Sequence, residues 1–331
     1  MTWNLIGNAW AADMLQEHIR RQTVRHAYLI SGPSGVGRRT LALKFAQALN
    51  CLKPPEPGQA CGECRICRQT AAMQQADLSV VQVAEDASAV KIEQIREVQR
   101  SLSLAPYEAR LRVALLLNFD RATIAAQNAL LKTLEEAPER AILILTASDP
   151  ENLLATIVSR CEVLRLRPLA PADLAAVLQT HSAADADSAL RYACLSGGRP
   201  GLALTYLQNP DLLAERTQWL DNLVDCLPAN RLTRFKLAEV YSKDKDTLRQ
   251  ILAAWLVYWR DIMLAAAGAN TPLTNVDRQE EIRALAARCG FTQACNMVQR
   301  LDATLENLDA NLNARLLLEV LGAIRGRIGR D

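Results

Sequence analysis

Short, nearly unbroken apolar runs alternate with segments of helical period along the first half of the chain. The runs at residues 27–31, 78–83, 112–117 and 141–146 predict four strands, and 163–166 a fifth. They lack the in–out alternation of a strand with one wet face, so each is expected to be buried on both faces, as in a parallel sheet. Between them, residues 40–50, 92–104 and 125–138 repeat apolar positions at helical spacing, the last stopped by Pro138. Buried strands alternating with helices predict an α/β layer whose ligands sit beyond the carboxyl ends of the strands.

The pattern changes at "RPLAPADL" (167–174), where two prolines interrupt it. Beyond this point only helical periodicity is found. The expected fold is therefore α/β plus all-α, in three parts: an α/β domain over 1–167, a small helical domain over 168–209 and a larger helical domain over 210–331. In the last part, Ile251, Trp255 and Trp259 lie on one helical face. They are read either as that domain's own core or as an apolar surface for oligomerisation. The apolar stretch 251–259 is bounded by Arg249 and by Arg260-Asp261. It falls well short of the roughly 20 residues that cross a bilayer. The first ten residues lack the basic-then-apolar pattern of a signal segment. No membrane association and a cytoplasmic location are expected.

Composition narrows the picture only a little. A chain of 331 residues, 50% hydrophobic and 22% charged, has material for two or three cores. Its formal charge of +2 excludes a strong overall field for nucleic acid and leaves a local basic surface open. Nine cysteines are an odd number, which argues against a pure disulfide framework.

Four places carry chemistry. "GPSGVGRRT" (32–40) follows the first strand, and Gly32, Gly35 and Gly37 have the spacing of a phosphate-binding loop. A working loop carries a lysine for the terminal phosphates and a Ser/Thr hydroxyl for magnesium. Here Arg38 and Arg39 stand in those positions, and Thr40 comes one place late, about 100° further round a helix. The magnesium carboxylate of such sites ends an apolar strand. The corresponding positions are Leu117-Asn118, and the nearby carboxylate, Asp120, lies further on. Two independent defects predict a nucleotide site without hydrolytic chemistry. Cys51, Cys61, Cys64 and Cys67 follow the loop's helix, with "PPEPG" able to turn the chain between the first two. Four thiolates at this spacing suit a closed, structural tetrahedral zinc site. An iron–sulfur cluster or free thiols are the alternatives. Finally, "ENLLATIVSRC" (151–161) places Arg160 at a helix end just before a strand. A cation there is favoured by the helix dipole, whatever else it does.

In this order these strings resemble the AAA+ subunits of the bacterial DNA clamp loader. "HAYLISGPSGVGRRTLA", the four-cysteine insert, "NALLKTLEEAP", "ENLLATIVSRC" and "NLNARLLLEVL" (311–321) carry the likeness over nearly the whole chain. The resemblance implies an AAA+ domain with a zinc module at about 51–67, a helical lid and a C-terminal collar joining an open ring of subunits. It implies partners: other clamp-loader subunits (delta, gamma/tau), the sliding clamp, and primer-template DNA reached through the assembled complex. It implies that Arg160, within Ser159-Arg160-Cys161, reaches ATP bound by a neighbouring subunit. The chain departs from the family in Arg38 and Arg39, which leaves residual ATP binding open. Another departure is "QAD" at 75–77, where His-Pro-Asp is usual. In "SGGRPGLAL", Gly201 or Arg199 stands at the place of a second-domain sensor arginine. An ATP-hydrolysing gamma/tau-type subunit is the alternative.

Overall fold

The computed structural model describes residues 3–83, 87, 89–182, 185–309 and 312–323. Two compact units are distinguished. One is Met1–Val177 with Arg199–Leu202, and the other is Leu178–Gly198 with Ala203–Asp331.

The first unit is built on strands β1 (Ala27–Ser31), β2 (Leu78–Val81), β3 (Arg112–Leu116), β4 (Ala141–Ala147) and β5 (Glu162–Arg165). They form one parallel sheet in the order β2-β3-β4-β1-β5. All five predicted strands are present, and β1, β3 and β4 are buried along their full length. Their alternate residues feed two cores. Tyr28, Ile30, Val113, Leu115, Ile142 and Ile144 pack on one side of the sheet. Ala27, Leu29, Ala114, Leu116, Leu143 and Leu145 pack on the other. A strand wetted on neither face takes apolar residues at nearly every position, which is why the runs are almost continuous, with Ser31, Arg112 and Thr146 only at or near the strand ends.

The helices of this unit are α1 (Ala9–Arg20), α2 (Arg38–Asn50), α3 (Arg65–Ala71), α4 (Ile92–Leu102), α5 (Ile124–Glu135) and α6 (Ala155–Val158). Helices α1 and α2 cover the first core, and α4 and α5 the second. Helix α1 has no counterpart among the expected elements. It buries Ala11, Ala12 and Leu15, a stripe mostly of alanines whose apolar signal in the sequence is weak.

The remaining helices are α7 (Pro171–Ser182), α8 (Ala186–Leu195), α9 (Pro200–Gln208), α10 (Pro210–Cys226), α11 (Arg231–Tyr241), α12 (Lys245–Ala266), α13 (Gln279–Asp309) and α14 (Ala314–Ala323). Helix α13 bends at Gly290, whose φ of 70° only glycine adopts without strain. The core of the second unit contains Leu220, Ile251, Leu252, Trp255, Tyr258, Trp259 and Ile282. The oligomerisation face offered for Ile251, Trp255 and Trp259 is thereby corrected. They are 0%, 5% and 0% exposed, so they fill their own unit's core. The exposed apolar stripe lies instead on α14 and the residues just before it, at Leu312, Leu316 and Val320. Within α14, the spacing of four keeps Leu316 and Val320 on one face, and Leu312 precedes the helix. Asn311 and residues 324–331, which end the expected collar, lie outside the described residues.

Candidate functional site

The phosphate-type loop leaves the carboxyl end of β1, which lies between β4 and β5 in the sheet. Gly32 donates its N–H between the carbonyls of Ala147 and Ser148, at 3.2 Å each. A side chain at Gly32 would meet the Leu166 carbonyl at 2.5 Å, so the second backbone fits only against glycine. Gly35 and Gly37 take positive φ of 84° and 103°, and Gly37 caps α2. The expected turn is therefore formed. Its back is closed by the start of α9, where Gly201 N–H donates to the Gly35 carbonyl at 2.8 Å. A Cβ at Gly201 would lie 3.0 Å from that oxygen, so the contact has no room for a larger residue without a shift.

Around the turn, arginines occupy the positions of the lysine and of the magnesium-binding hydroxyl. Arg38 donates from Nη2 to Asn118 Oδ1 at 3.1 Å, linking the lysine position to the strand-end position. Asn118 takes the left-handed conformation, with φ 49°, and its N–H donates to Thr146 Oγ1 at 2.8 Å. Asp120, two residues beyond Asn118, also anchors the loop after β4. Its Oδ2 accepts from Ser148 N–H at 2.9 Å and from the Ser148 hydroxyl. Arg38 Nη1 and Asp120 Oδ1 are buried without hydrogen-bond partners. Burial pulls the Arg38 pKa down and the Asp120 charge opposes it. Arg39 is exposed and lies against Met73 Sδ, 3.3 Å away, while Thr40 is exposed. Gly32, Gly35, Gly37, Arg38 and Arg39 thus keep the turn, with a guanidinium rather than an ammonium at its lysine position.

The four cysteines do come together. The Sγ atoms of Cys51, Cys61, Cys64 and Cys67 all lie within 4.8 Å of one another. Cys51 directly follows α2. Cys64 caps α3, its sulfur accepting from Cys67 N–H at 3.4 Å. Cys61 N–H donates to Cys51 Sγ and Cys64 N–H to Cys61 Sγ, both at 3.3 Å. The turn through Pro54–Gly58 is fixed at Gly58, which has φ 87° and lies so close to Gln16 that a Cβ would meet its carbonyl at 2.7 Å. Trp3 Nε1 holds the Gly58 carbonyl at 3.0 Å. Tetrahedral zinc, with Zn–S of about 2.3 Å, calls for sulfurs about 3.8 Å apart. Cys61 and Cys67 are already at 4.0 Å. Burial opposes ionisation of Cys64, but the N–H groups of Cys67 and Leu52 outweigh it and bring the thiol down to about 6. The N–H groups of Cys64 and Glu63 lower Cys61 as well. Burial pushes Cys51 and Cys67 up, so these two gain most from a bound cation. Four thiols placed in this way could hold one metal ion with no position left open. Arg65, the residue after Cys64, is paired with Glu108.

Arg160 lies just beyond the single turn α6, after Ser159. Its Nη1 donates to the Thr156 carbonyl at 2.9 Å, the helix-end interaction expected of a cation there. Its Nη2 meets Glu135 Oε1 at 2.8 Å, a partner from α5 that no local pattern announced. Ser159 is exposed, and its hydroxyl also bonds the Thr156 carbonyl, at 3.2 Å. Burial pushes the Cys161 thiol up to about 12, which makes it an inert packing residue at neutral pH.

Asp77, the aspartate of "QAD", has a side chain with no exposure. It accepts the backbone N–H groups of Tyr107, Glu108 and Ala109 at 2.7, 2.9 and 2.8 Å. Arg112 Nη2 stands 3.6 Å away. The sequence hid this role, because the partners lie thirty residues further along the chain.

The family model described as DNA polymerase III, delta subunit matches residues 7–170. A second, described as DNA polymerase III, delta subunit, C terminal, matches 210–321. DNA polymerase III subunit delta′ of Pseudomonas aeruginosa is 30% identical over 304 residues, covering 89% of this chain and 90% of the relative. Subunit delta′ of Bacillus subtilis is 25% identical over 312 residues, covering 93% of each. DNA polymerase III subunit tau of Bacillus subtilis is 34% identical over 159 residues, covering 48% of this chain and only 28% of tau. Against tau the chain therefore spans little more than a quarter of the relative's length, whereas it spans nearly all of the delta′ subunits.

Proposed function

We propose that this chain, which belongs to the DNA polymerase III delta′ subunit family, is a non-hydrolysing AAA+ subunit of a clamp loader. Its AAA+ domain (1–167), lid (168–209) and collar (210–331) act through their interfaces. It assembles in the cytoplasm with delta and gamma/tau subunits and helps them place the sliding clamp on primer-template DNA. Arg160 acts on ATP held by a neighbouring subunit. The observation that carries this reading is the Arg38–Asn118 hydrogen bond across the former nucleotide motifs, with Arg160 retained and 36% exposed at the end of α6. The match to tau supports a gamma/tau-type ATPase as the second reading. Arg38, Arg39 and Asn118 weigh against it, since lysine, hydroxyl and carboxylate are all missing. The test is reconstitution. The chain alone should hydrolyse ATP no faster than background, and leaving it out should lower the clamp- and DNA-stimulated ATPase of the complex. Hydrolysis by the purified chain above background would favour the gamma/tau reading.

We assign structural zinc to the four-cysteine cluster, on the closed donor set and its amide-to-sulfur bonds. Metal analysis of protein purified under reducing conditions should find one zinc per chain. Cys64→Ser should lose most of it, because a hydroxyl is a poor metal ligand beside a thiol that its neighbouring N–H groups help to ionise. Iron with visible absorbance, or a metal-free wild type, would overturn the assignment.

Collar assembly is assigned to the face carrying Leu312, Leu316 and Val320. Cutting the chain after Asn209 is a poor test, since residues 178–198 cluster with 203–331 and would lose their packing. Leu316 is 59% exposed, so Leu316→Asp should leave the melting temperature within a few degrees. It should nevertheless reduce incorporation into the complex at least tenfold in a pull-down. Normal incorporation would remove this face from the assembly.

A further inference from the structure

An open cleft of about 530 Å³ lies at the β5 edge of the sheet, lined by Trp10, Val163, Arg165 and Arg167. It is remote in role from everything assigned above. Trp10 is 49% exposed, an unusual state for the largest side chain. Arg165 and Arg167 are exposed, and among the described residues neither guanidinium has an acidic or hydrogen-bonding partner. Two residues apart on extended chain, the arginines sit about 6.6 Å from each other and share one face. Their charges repel, and among the described residues neither is in an ion pair with a carboxylate.

The cleft is built rather than incidental. Asn8 holds the backbone of Arg167 from both sides, its Nδ2 donating to the Arg167 carbonyl at 2.9 Å and its Oδ1 accepting the Arg167 N–H at 3.0 Å. Asn8 takes the left-handed conformation, with φ 51°, and starts α1. Gly7, with φ 77°, lies so close to Leu169 that a Cβ would meet its side chain at 2.8 Å. The start of α1 is thus clipped to the end of β5, and Trp10, two residues after Asn8, lines the cleft with the two arginines.

An exposed indole face beside two uncompensated guanidinium groups suits a ligand that is both planar and polyanionic. Bases stack on aromatic side chains whatever their sequence, and arginine forks match phosphate oxygens. The spacing of the arginines is comparable with the reach between successive phosphates. An acidic peptide would satisfy the arginines but has no regular planar group for the indole. We propose that this cleft binds a short single-stranded nucleic-acid segment, with one base stacked on Trp10 and its flanking phosphates on Arg165 and Arg167. The inference does not depend on the ATP-related role of the chain, because its test uses no nucleotide triphosphate and no other subunit.

The experiment is a titration of the full-length chain against fluorescein-labelled dT12, followed by anisotropy at several salt concentrations. Wild type should bind measurably at low salt. Trp10→Ala should weaken binding on the order of 10- to 100-fold with an unchanged salt slope. Trp10→Phe should restore most of it, since a ring still stacks. Arg165→Ala with Arg167→Ala should reduce the slope of log K against log salt by about 1.4, at about 0.7 per lost phosphate contact on a single strand. All three side chains are exposed or half-exposed, and melting curves check that the variants stay folded. The proposal is overturned by no binding at low salt. It is equally overturned by binding that neither set of substitutions changes, or by tighter binding of a labelled oligoglutamate than of dT12.

Discussion

A complex rebuilt with Arg160→Ala is expected to assemble normally and to lose hydrolysis at the one ATP site that this arginine is proposed to complete. Phosphoryl transfer spreads charge over the equatorial oxygens, and a guanidinium fork stabilises it as it builds. Arginines acting in this way contribute on the order of 10³–10⁵ in rate. Single-turnover hydrolysis at the affected site should therefore slow at least about 10³-fold. The steady-state ATPase should fall less, because the other sites keep their own arginines. The structure adds how the side chain waits. Arg160 is held by the Thr156 carbonyl and by Glu135, with 36% and 53% of the two charged side chains exposed. A pair this wet contributes roughly 0–1 kcal/mol, so the phosphates of a neighbour can draw the guanidinium away at small cost. Arg160→Lys should rescue poorly, because an ammonium reproduces the charge without the fork. Equal single-turnover rates for wild type and Arg160→Ala complexes would falsify the trans role and leave the residue as a helix-end cation.

How far such roles could be read from the sequence depended on where the partners lie. The strands were legible because burial on both faces writes every position as apolar, as in "AILILT". The four-cysteine site was legible because its ligands fall within seventeen residues of chain and each type is specific. The departures from a working nucleotide loop were legible as substituted groups, Arg38 for lysine and Asn118 for a carboxylate. The hydrogen bond that joins those two, across eighty positions, was not. Glu135 was hidden for the same reason, since nothing in "LEEAP" says that its first glutamate meets an arginine 25 residues on. The apolar period of α12 was visible, but period alone cannot say whether Trp255 and Trp259 meet their own unit or a neighbour. Only the fold, which leaves Leu316 and Val320 outside, separates the two.

Asp77 was passed over most completely, and its removal is expected to have the largest effect on stability. Asp77→Ala should destabilise the N-terminal unit by on the order of 3–5 kcal/mol. The carboxylate sits with no solvent exposure at the foot of β2 and gathers three backbone N–H groups from the segment leading into β3. Alanine would leave those donors without their acceptor. It would also strip the nearby charge from Arg112, whose side chain is only 11% exposed. Arg112 is itself committed to the neighbourhood, donating to the Ala105 carbonyl at 3.1 and 3.0 Å and to Ser101 Oγ at 3.1 Å. It cannot turn to water without giving up those bonds. Asp77→Asn keeps one carbonyl acceptor and should fall between alanine and wild type, since the amide nitrogen would face backbone donors. In thermal unfolding the alanine variant should lower the transition of this unit by roughly 6–20 °C. The zinc content should remain near wild type in the folded fraction, because the cysteines take no bond from Asp77. A shift no larger than that of an exposed control such as Glu93→Ala would show that the three N–H groups find other acceptors, and that the buried carboxylate is not what holds residues 105–111 in place.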